Sequence, residues 1–561
     1  MTRLQRLIRL LHAFVLGCLL AQVLGPVPAA QGAPTLSRES EHIQPRLLQL
    51  IDEYDRHGET GLRQLAADRG IQLRESSQGA LIPILLELRP GFSTHAIDPA
   101  RIEALGGHVD AVSASFIRVL VLPRDARRLV NLPEVRTVRS PATVKEFSLG
   151  FGNIVSEAVP LTGASTLQGL GITGSGVKVA VVDVGFRRLS EAIAVNELPA
   201  NTISVDFTGL GVETGSQHGV AVAEEVVDMA PGIQLYCLKV SDEADLENAA
   251  AYLRTNGIRI ANLSLGFFGG SYYDDTGPFN TVINTSHDTD GVFWSVAAGN
   301  SAQSHWRGTW SDPDGDQRLN FSATANAITL QGFDASVSRR VVICLNWNQY
   351  GNSVTDLDLY VIDKSGNTVT SSTNPQNGPQ EPLEELSFQY DPSKAPYRVV
   401  VVHASGPTAG LDVTLFATSN VAFDFAVPAS SFVDPADAHG ATTVGAIEQT
   451  SYAILDPTLE TFSSHGPTTD GRNKPDFCAP DDTSDYVYGL GTSLALYQGG
   501  QWALAGPNSG FSGTSASAPV VAGGAALLLQ QMPSLTASGL LSAFANLALP
   551  ISSPSLGPTP F

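Results

Sequence analysis

The chain has 561 residues, 43% of them apolar and 16% charged, with 53 glycines and 34 prolines. That composition excludes wholesale disorder and leaves room for about three domains of ordinary size. A net charge of −22 argues against nucleic acid or an anionic membrane as partner, and four cysteines exclude a disulfide-dense scaffold.

Residues 1–33 read as an export leader: Arg3, Arg6 and Arg9 precede an apolar run over 10–23, and small residues follow at Ala29, Ala30, Gly32 and Ala33. The run is shorter than the ~20 residues a membrane helix needs, and no later run is long enough to span. The expectation is a secreted chain with no membrane span. Loss of Cys18 with the leader leaves Cys237, Cys344 and Cys478, enough for at most one intrachain disulfide.

Residues 34–145 follow. Leu47, Leu48, Leu50, Ile51, Tyr54, Leu62 and Leu65 recur at helical spacing within 36–75. Apolar runs at 82–88, 116–121 and 135–138 suit strands, and 98–106 and 125–130 suit short helices, together a small α+β module of βαββαβ type. Residues 139–170 show no clear period. From Gly174 buried strands alternate with helices: strands at 178–184, 233–240, 259–265 and 292–297, helices at 218–228, 243–255 and 279–287. Such alternation predicts a parallel sheet covered on both faces.

The texture breaks after Asn300. Residues 305–430 carry short strand-like runs at 340–347, 357–362, 386–390, 397–403 and 411–416, separated by Gly, Pro, Asn and Asp, which predicts a β-sandwich. The α/β texture resumes at 441–447 and ends in an apolar helix over 516–531. The sandwich therefore reads as an insertion between two parts of one domain, 150–304 and 431–547, with 548–561 as a disordered tail.

Ser515 lies in Phe511-Ser-Gly-Thr-Ser-Ala-Ser-Ala-Pro519, small residues through which other backbone and a substrate can approach. It opens the apolar helix, where unpaired N–H groups and the helix dipole favour negative charge; a capping serine is the competing reading. A serine nucleophile needs a base, and the base an orienting carboxylate. His218 begins the helical run Gln217-His-Gly-Val-Ala-Val-Ala223, and Asp183 ends the apolar run Val179-Ala-Val-Val-Asp183, at the sheet edge where open α/β folds bind ligands. Each alone reads equally well as a cap or a helix-start residue; the joint occurrence carries the weight. Gly513-Thr-Ser-Ala-Ser517 lacks the last glycine of a G-x-S-x-G elbow, and Cys478 reads as a small core residue rather than a nucleophile.

With Asp183-Val-Gly185, His218-Gly-Val-Ala-Val-Ala223 and Gly513-Thr-Ser-Ala-Ser-Ala-Pro519 in this order, the chain resembles the subtilisin-like serine peptidases, whose triad has that chain order. Asn262-Leu-Ser-Leu-Gly266 resembles their substrate-binding edge strand and Ala297-Ala-Gly-Asn300 their oxyanion-hole segment. Phe462-Ser-Ser-His-Gly-Pro467 and Lys474-Pro-Asp-Phe-Cys-Ala-Pro480 resemble family core segments. The resemblance covers roughly 174–300 and 438–547. It implies an α/β fold with a subtilisin-like parallel sheet and helices on both faces, and a serine endopeptidase acting on polypeptides with no cofactor required for chemistry. It further implies Ser515 as nucleophile, His218 as base, Asp183 as its orienting partner and Asn300 as oxyanion donor. Ser264, Leu265 and Gly266, with Ala297, Ala298 and Gly299, would bind substrate. The module at 76–145 resembles the family's propeptides, which act as intramolecular inhibitors; an unrelated N-terminal domain is the alternative. Val184, Val220, Glu224 and Glu225 depart from the family pattern.

Two acidic groups mark the insertion. Asp312, Asp314 and Asp316 at alternate positions, and Asp356 with Asp358, have spacing that suits structural calcium; a solvated turn is the competing reading for the first. Two further functional readings stay open: a peptidase-like binding protein whose cleft no longer turns over, and a dedicated processing peptidase for one precursor.

Overall fold

The computed structural model describes residues 42–551 except 70, 142, 146–154, 332–339, 419–420, 453–456, 489–494, 499–500, 505–509 and 550. The expected leader and most of the expected tail lie outside the described residues. Residues 42–305 and 427–561 form one compact unit, and 306–426 a second.

The first unit opens with α1 (Pro45–Asp68), interrupted at Gly58. Its Leu47, Leu50, Ile51 and Leu62 are buried, as the spacing predicted, and Ala66 with them, while Leu48, Tyr54 and Leu65 are partly buried. The helix expected to run on to residue 75 stops at Asp68, because β1 (Arg74–Ser76) pairs with the start of β2 (Gly79–Leu88). Then follow α2 (Pro99–Glu103), β3 (Gly107–Val112), β4 (Phe116–Val121), α3 (Pro123–Ala126) and β5 (Val135–Arg139). They build a five-stranded sheet in which β2 pairs with β1, β4 and β5, and β3 lies outside β4. The strand β3 had no clear signal, since it runs through His108 and Asp110 with most of its residues only half-buried. Helix α1 shares one core with this sheet, among them Ile82, Ile84, Leu86, Ile117 and Val119.

Beyond the sheet, β6 (Thr143–Lys145) leaves the module. Two short helices, α4 (Ala158–Leu161) and α5 (Ala164–Gly169), lead into the alternating region. There lie β7 (Lys178–Asp183), α6 (Leu189–Ala194), β8 (Ile203–Asp206), α7 (His218–Met229), β9 (Gln234–Lys239) and α8 (Glu243–Asn256). After them come β10 (Ile260–Leu263), β11 (Gly266–Phe268), α9 (Pro278–Asp290) and β12 (Phe293–Ala297).

The second unit follows with β13 (His305–Thr309), β14 (Ile328–Gln331), β15 (Arg340–Trp347), β16 (Asp356–Ile362), β17 (Thr368–Ser372), β18 (Leu383–Gln389), β19 (Arg398–Ser405), β20 (Asp412–Ala417) and β21 (Ala422–Phe423). They form a four-stranded sheet, β13-β20-β15-β18, and a five-stranded sheet, β17-β16-β19-β14-β21. Strand β15 pairs antiparallel with β18 and β20, and β19 with β14 and β16. The described residues of this unit contain no helix.

The chain returns to the first unit with β22 (Ala441–Glu448), α10 (Gln449–Tyr452), β23 (Phe477–Asp481), a hairpin of β24 (Ala495–Gln498) and β25 (Gln501–Leu504), α11 (Thr514–Gln531) and α12 (Ala537–Leu547). The seven-stranded sheet has the order β23-β22-β12-β10-β7-β9-β8 and is parallel throughout. Successive side chains of a strand point to opposite faces. Val179 and Val181 of β7 accordingly join a core with α7 and α11, while Ala180 and Val182 join one with α8 and α9. Both faces are buried, which is why these strands read as continuous apolar runs. Cys237, Cys344 and Cys478 form no disulfide. No helix among the described residues is long and apolar enough to cross a membrane.

Candidate active site

Strand β7 delivers Asp183 to the carboxyl edge of the sheet. One carboxylate oxygen accepts from Val184 N (2.8 Å) and the other faces His218 Nδ1 at 2.7 Å, with both side chains fully buried. Helix α7 comes this close because its second residue is Gly219. A Cβ there would stand 2.7 Å from Gly185 O and 2.8 Å from Asp183 Cβ. The His218 ring lies edge-on to Phe511 at 5.8 Å, and Phe511 stacks on Tyr488 at 5.5 Å.

Helix α11 starts one residue before Ser515 and is held by the ends of the neighbouring strands. Ser264 Oγ donates to Ser515 O (3.1 Å), Asn262 Nδ2 donates to Ser264 Oγ (2.9 Å), and Ser295 Oγ donates to Ala518 O (2.7 Å). Ser515 Oγ itself donates to Ser264 O at 3.2 Å. Gly513 N donates to Asp481 at 3.0 Å, and burial pushes that carboxyl up to about 7.

The turn after β12 is bound to the same helix. Asn300 Oδ1 accepts from Thr514 N (3.1 Å) and Thr514 Oγ1 (2.9 Å), and Thr514 Oγ1 accepts from Gly299 N (3.0 Å). Gly299 has φ +99°, a conformation that disfavours a side chain. With its carbonyl end held by Thr514, Asn300 keeps its Nδ2 end as a donor. Ala297 and Ala298 are buried beneath this turn.

Ser264, Leu265 and Gly266 run from the end of β10 into β11, and the Leu265 side chain packs into the core. The main chain of β11 pairs antiparallel with β6, Gly266 with Lys145, Phe267 with Val144 and Phe268 with Thr143. On its other side Phe267 N donates to Asp434 O at 2.8 Å.

The four polar residues singled out from sequence thus gather at adjoining strand and helix ends. Thr514, Asp481 and Gly219 were missed; their roles depend on partners remote in sequence. The departures are also placed: Val220 is in the core, Glu224 accepts from Tyr486 N (2.8 Å) and Glu225 from Thr483 Oγ1. Asp312, Asp314 and Asp316 belong to the other unit. Their carboxylate oxygens lie within 4.8 Å of one another, but Asp312 accepts from Gly315 N, Asp316 N and Gln317 N, and Asp316 from Arg318 N and Asn326 Nδ2. That is the bonding of a turn closed on itself. Asp356 and Asp358 lie in β16, where they accept from Gln376 N and Tyr360 Oη.

The family model for the subtilase family matches residues 174–384 and 324–548, two overlapping stretches that together exceed half of the chain. The chain belongs to the subtilase family. This subtilase is 32% identical over 176 residues to serine protease AprX of Bacillus subtilis (strain 168), covering 29% of this chain and 37% of that protein. It is 28% identical over 199 residues to alkaline elastase YaB of Bacillus sp. (strain YaB), covering 33% of this chain and 50% of that one. The subtilase therefore spans half or less of the curated relatives it matches. Among solved structures, the Clostridium perfringens CspB protease aligns with TM-score 0.45 and 15% identity over 70% of this chain and 92% of that one.

Proposed function

We propose that the chain is a secreted serine endopeptidase, made with an inhibitory propeptide and matured by its own active site. The buried Asp183–His218 contact of 2.7 Å, in a subtilase whose Ser515 opens the adjoining helix, is the observation that carries this reading. Ser515 attacks the scissile carbonyl, His218 takes its proton and later gives it to the leaving amine, and Asp183 steadies the imidazolium. The Asn300 amide, with its oxygen held by Thr514, donates to the oxyanion beside the Ser515 N–H.

The substrate is an extended polypeptide added as a strand to β11, a mode that places weak demands on sequence. The antiparallel β6–β11 ladder supports both this and the propeptide role, since the end of the N-terminal module runs along β11 as a product would. The docked face supports it too. Arg118 of β4 pairs with Asp242 (3.1 Å) and Asp245 (2.6 Å), Arg139 with Glu243 (2.7 Å), and Arg46 donates to Phe268 O (2.7 Å). The all-β unit is read as an accessory sandwich; calcium at Asp312, Asp314 and Asp316 remains a separate reading, supported by their clustering alone.

The maturation cut is expected between Lys145, still on the β11 ladder, and Ser156, whose N–H is tied to Asp228 at 2.7 Å. The test expresses wild type and Ser515→Ala in parallel and sequences their N-termini. Wild type is expected to lose the module while Ser515→Ala keeps it and hydrolyses nothing. Identical trimming of both chains, or hydrolysis by pure Ser515→Ala, overturns the reading.

A further inference from the structure

Helix α7 starts with His218 and carries three carboxyl groups in its second half, Glu224, Glu225 and Asp228, of which the two glutamates are 3% and 1% exposed. The segment after β23 wraps them. Glu224 accepts from Tyr486 N, Glu225 from Thr483 Oγ1 and Asp228 from Ser156 N. Glu224 Oε1 is buried with no hydrogen-bond donor among the described residues, and the Ser156 hydroxyl hydrogen-bonds the Glu225 carboxyl. Glu157, Glu197 and Asp485 add further negative charge around them. Among the described residues none of the three helix carboxyls is paired with a lysine, arginine or histidine.

Buried carboxylates without a counter-charge are costly, so this cluster calls for protons or a cation. The three carboxyls are not gathered into a three-ligand cage. Among the described residues only Asp312, Asp314 and Asp316 bring three ligand atoms within 4.8 Å of one another. A cation that pairs singly, such as an ammonium, needs no such cage. A main-chain nitrogen lies at the right place. Ser156 is buried with its N–H aimed at Asp228, and Val155 before it is 62% exposed.

We propose that maturation ends at the Val155–Ser156 bond and that the new α-ammonium of Ser156 is the counter-cation of Asp228 and Glu225. This rests on the self-maturing peptidase reading above. Hydrolysis breaks the C–N bond: the hydroxyl of water goes to the Val155 carbonyl carbon and its proton to the Ser156 nitrogen. The proton released by the new carboxyl group completes the ammonium. A neutral N–H donor to Asp228 thereby becomes a charged one, in contact with the helix that carries His218. Burial pushes Asp228 up to about 7 in the intact chain, so the exchange also replaces a bound proton by a fixed charge.

Mature protein from the full chain is sequenced from its N-terminus, and its α-amine is labelled with an amine-reactive ester across pH. Ser156 is expected first. Its α-amine, held protonated, is expected to label about tenfold more slowly at neutral pH than a free terminus of pKa near 8, the effect of one pH unit. Asp228→Asn is expected to restore the free rate, and Glu225→Gln serves if that variant does not accumulate. A mature chain beginning upstream of Ser156, or a wild-type α-amine labelled at the free rate, overturns the proposal. Failure of the maturation reading shows separately, as trimming of Ser515→Ala; the sequence and labelling results decide this proposal in either case.

Discussion

Replacing Arg118 by methionine keeps the stem packed in β4 and removes a guanidinium that serves one carboxylate within the module and two across the docked face. Its Nε lies 2.7 Å from Asp110 within the module, its Nη1 lies 3.1 Å from Asp242 and 2.6 Å from Asp245, and its Nη2 donates to Phe207 O at 3.0 Å. Breaking one member of a buried ion pair costs about 3–5 kcal/mol, because the remaining charge stays buried and unpaired. At ~1.4 kcal/mol per decade that is about 10² to 4 × 10³ in affinity. Burial and Asp242 already hold Asp245 well above the usual carboxylate range, with Arg118 pulling the other way. Protonation of Asp245 therefore limits the penalty, and the lower end, about 10², is expected. On the proposed maturation the module stays bound without a covalent link after the cut, so weaker docking is expected to appear as faster release. The assay follows the onset of peptide hydrolysis after dilution of freshly processed protein. The lag is expected to shorten by about 10² for Arg118→Met, and Asp242→Asn with Asp245→Asn should shorten it from the catalytic side. A lag within about threefold of wild type in both cases would refute the reasoning.

Asn300→Ala is expected to lower kcat by about 10²–10³, the loss known from subtilisin for the same kind of donor; a loss under about threefold means that Asn300 does not face the oxyanion. Thermal stability is expected to fall between pH 5 and pH 8. Burial raises Asp437 to about 6, Asp228 and Asp481 to about 7 and Glu384 to about 8. These groups bind protons in the folded chain that the unfolded chain has already lost, so their contribution is full below about pH 4 and disappears as pH rises through about 6–8. Calorimetry on Ser515→Ala, which cannot digest itself, measures this, and a Tm that is flat or rising over that interval refutes it. A chelator is expected to leave kcat unchanged, since the proposed Asp183–His218–Ser515 chemistry calls for no metal, and a loss of kcat that calcium restores would contradict that mechanism. A calcium-dependent Tm that vanishes in Asp312→Asn would instead establish the site in the all-β unit.

Asp183, His218, Ser515 and Asn300 were legible because each sits in a short segment whose chemistry is local: a strand end, a helix start, a run of small residues. What holds them was not. Thr514 looked like one more small residue before the serine, yet it binds Gly299 and Asn300, more than two hundred positions away. Asp481 caps the start of α11 from the end of β23, a contact that only the closed sheet creates. The same limit applied to the elements. Strands buried on both faces, such as β7, announce themselves by unbroken apolar runs, whereas β17, Thr368–Ser372, mixes polar residues and half-exposed positions and carries no such signal.

The residues that broke the family pattern prove informative for the same reason. Glu224 and Glu225 stood out only as misfits on the helix of His218. In the fold they bind the segment at 483–486, while Asp228 on the same helix holds Ser156, where the chain enters the catalytic sheet after the module. One helix thus joins His218, the segment after β23 that leads to Ser515, and Ser156, where the chain enters the catalytic sheet. A sequence alone shows three acidic residues there; that Glu224 and Glu225 are buried, and that Asp228 accepts from the main-chain nitrogen of Ser156, is information that exists only in the folded chain.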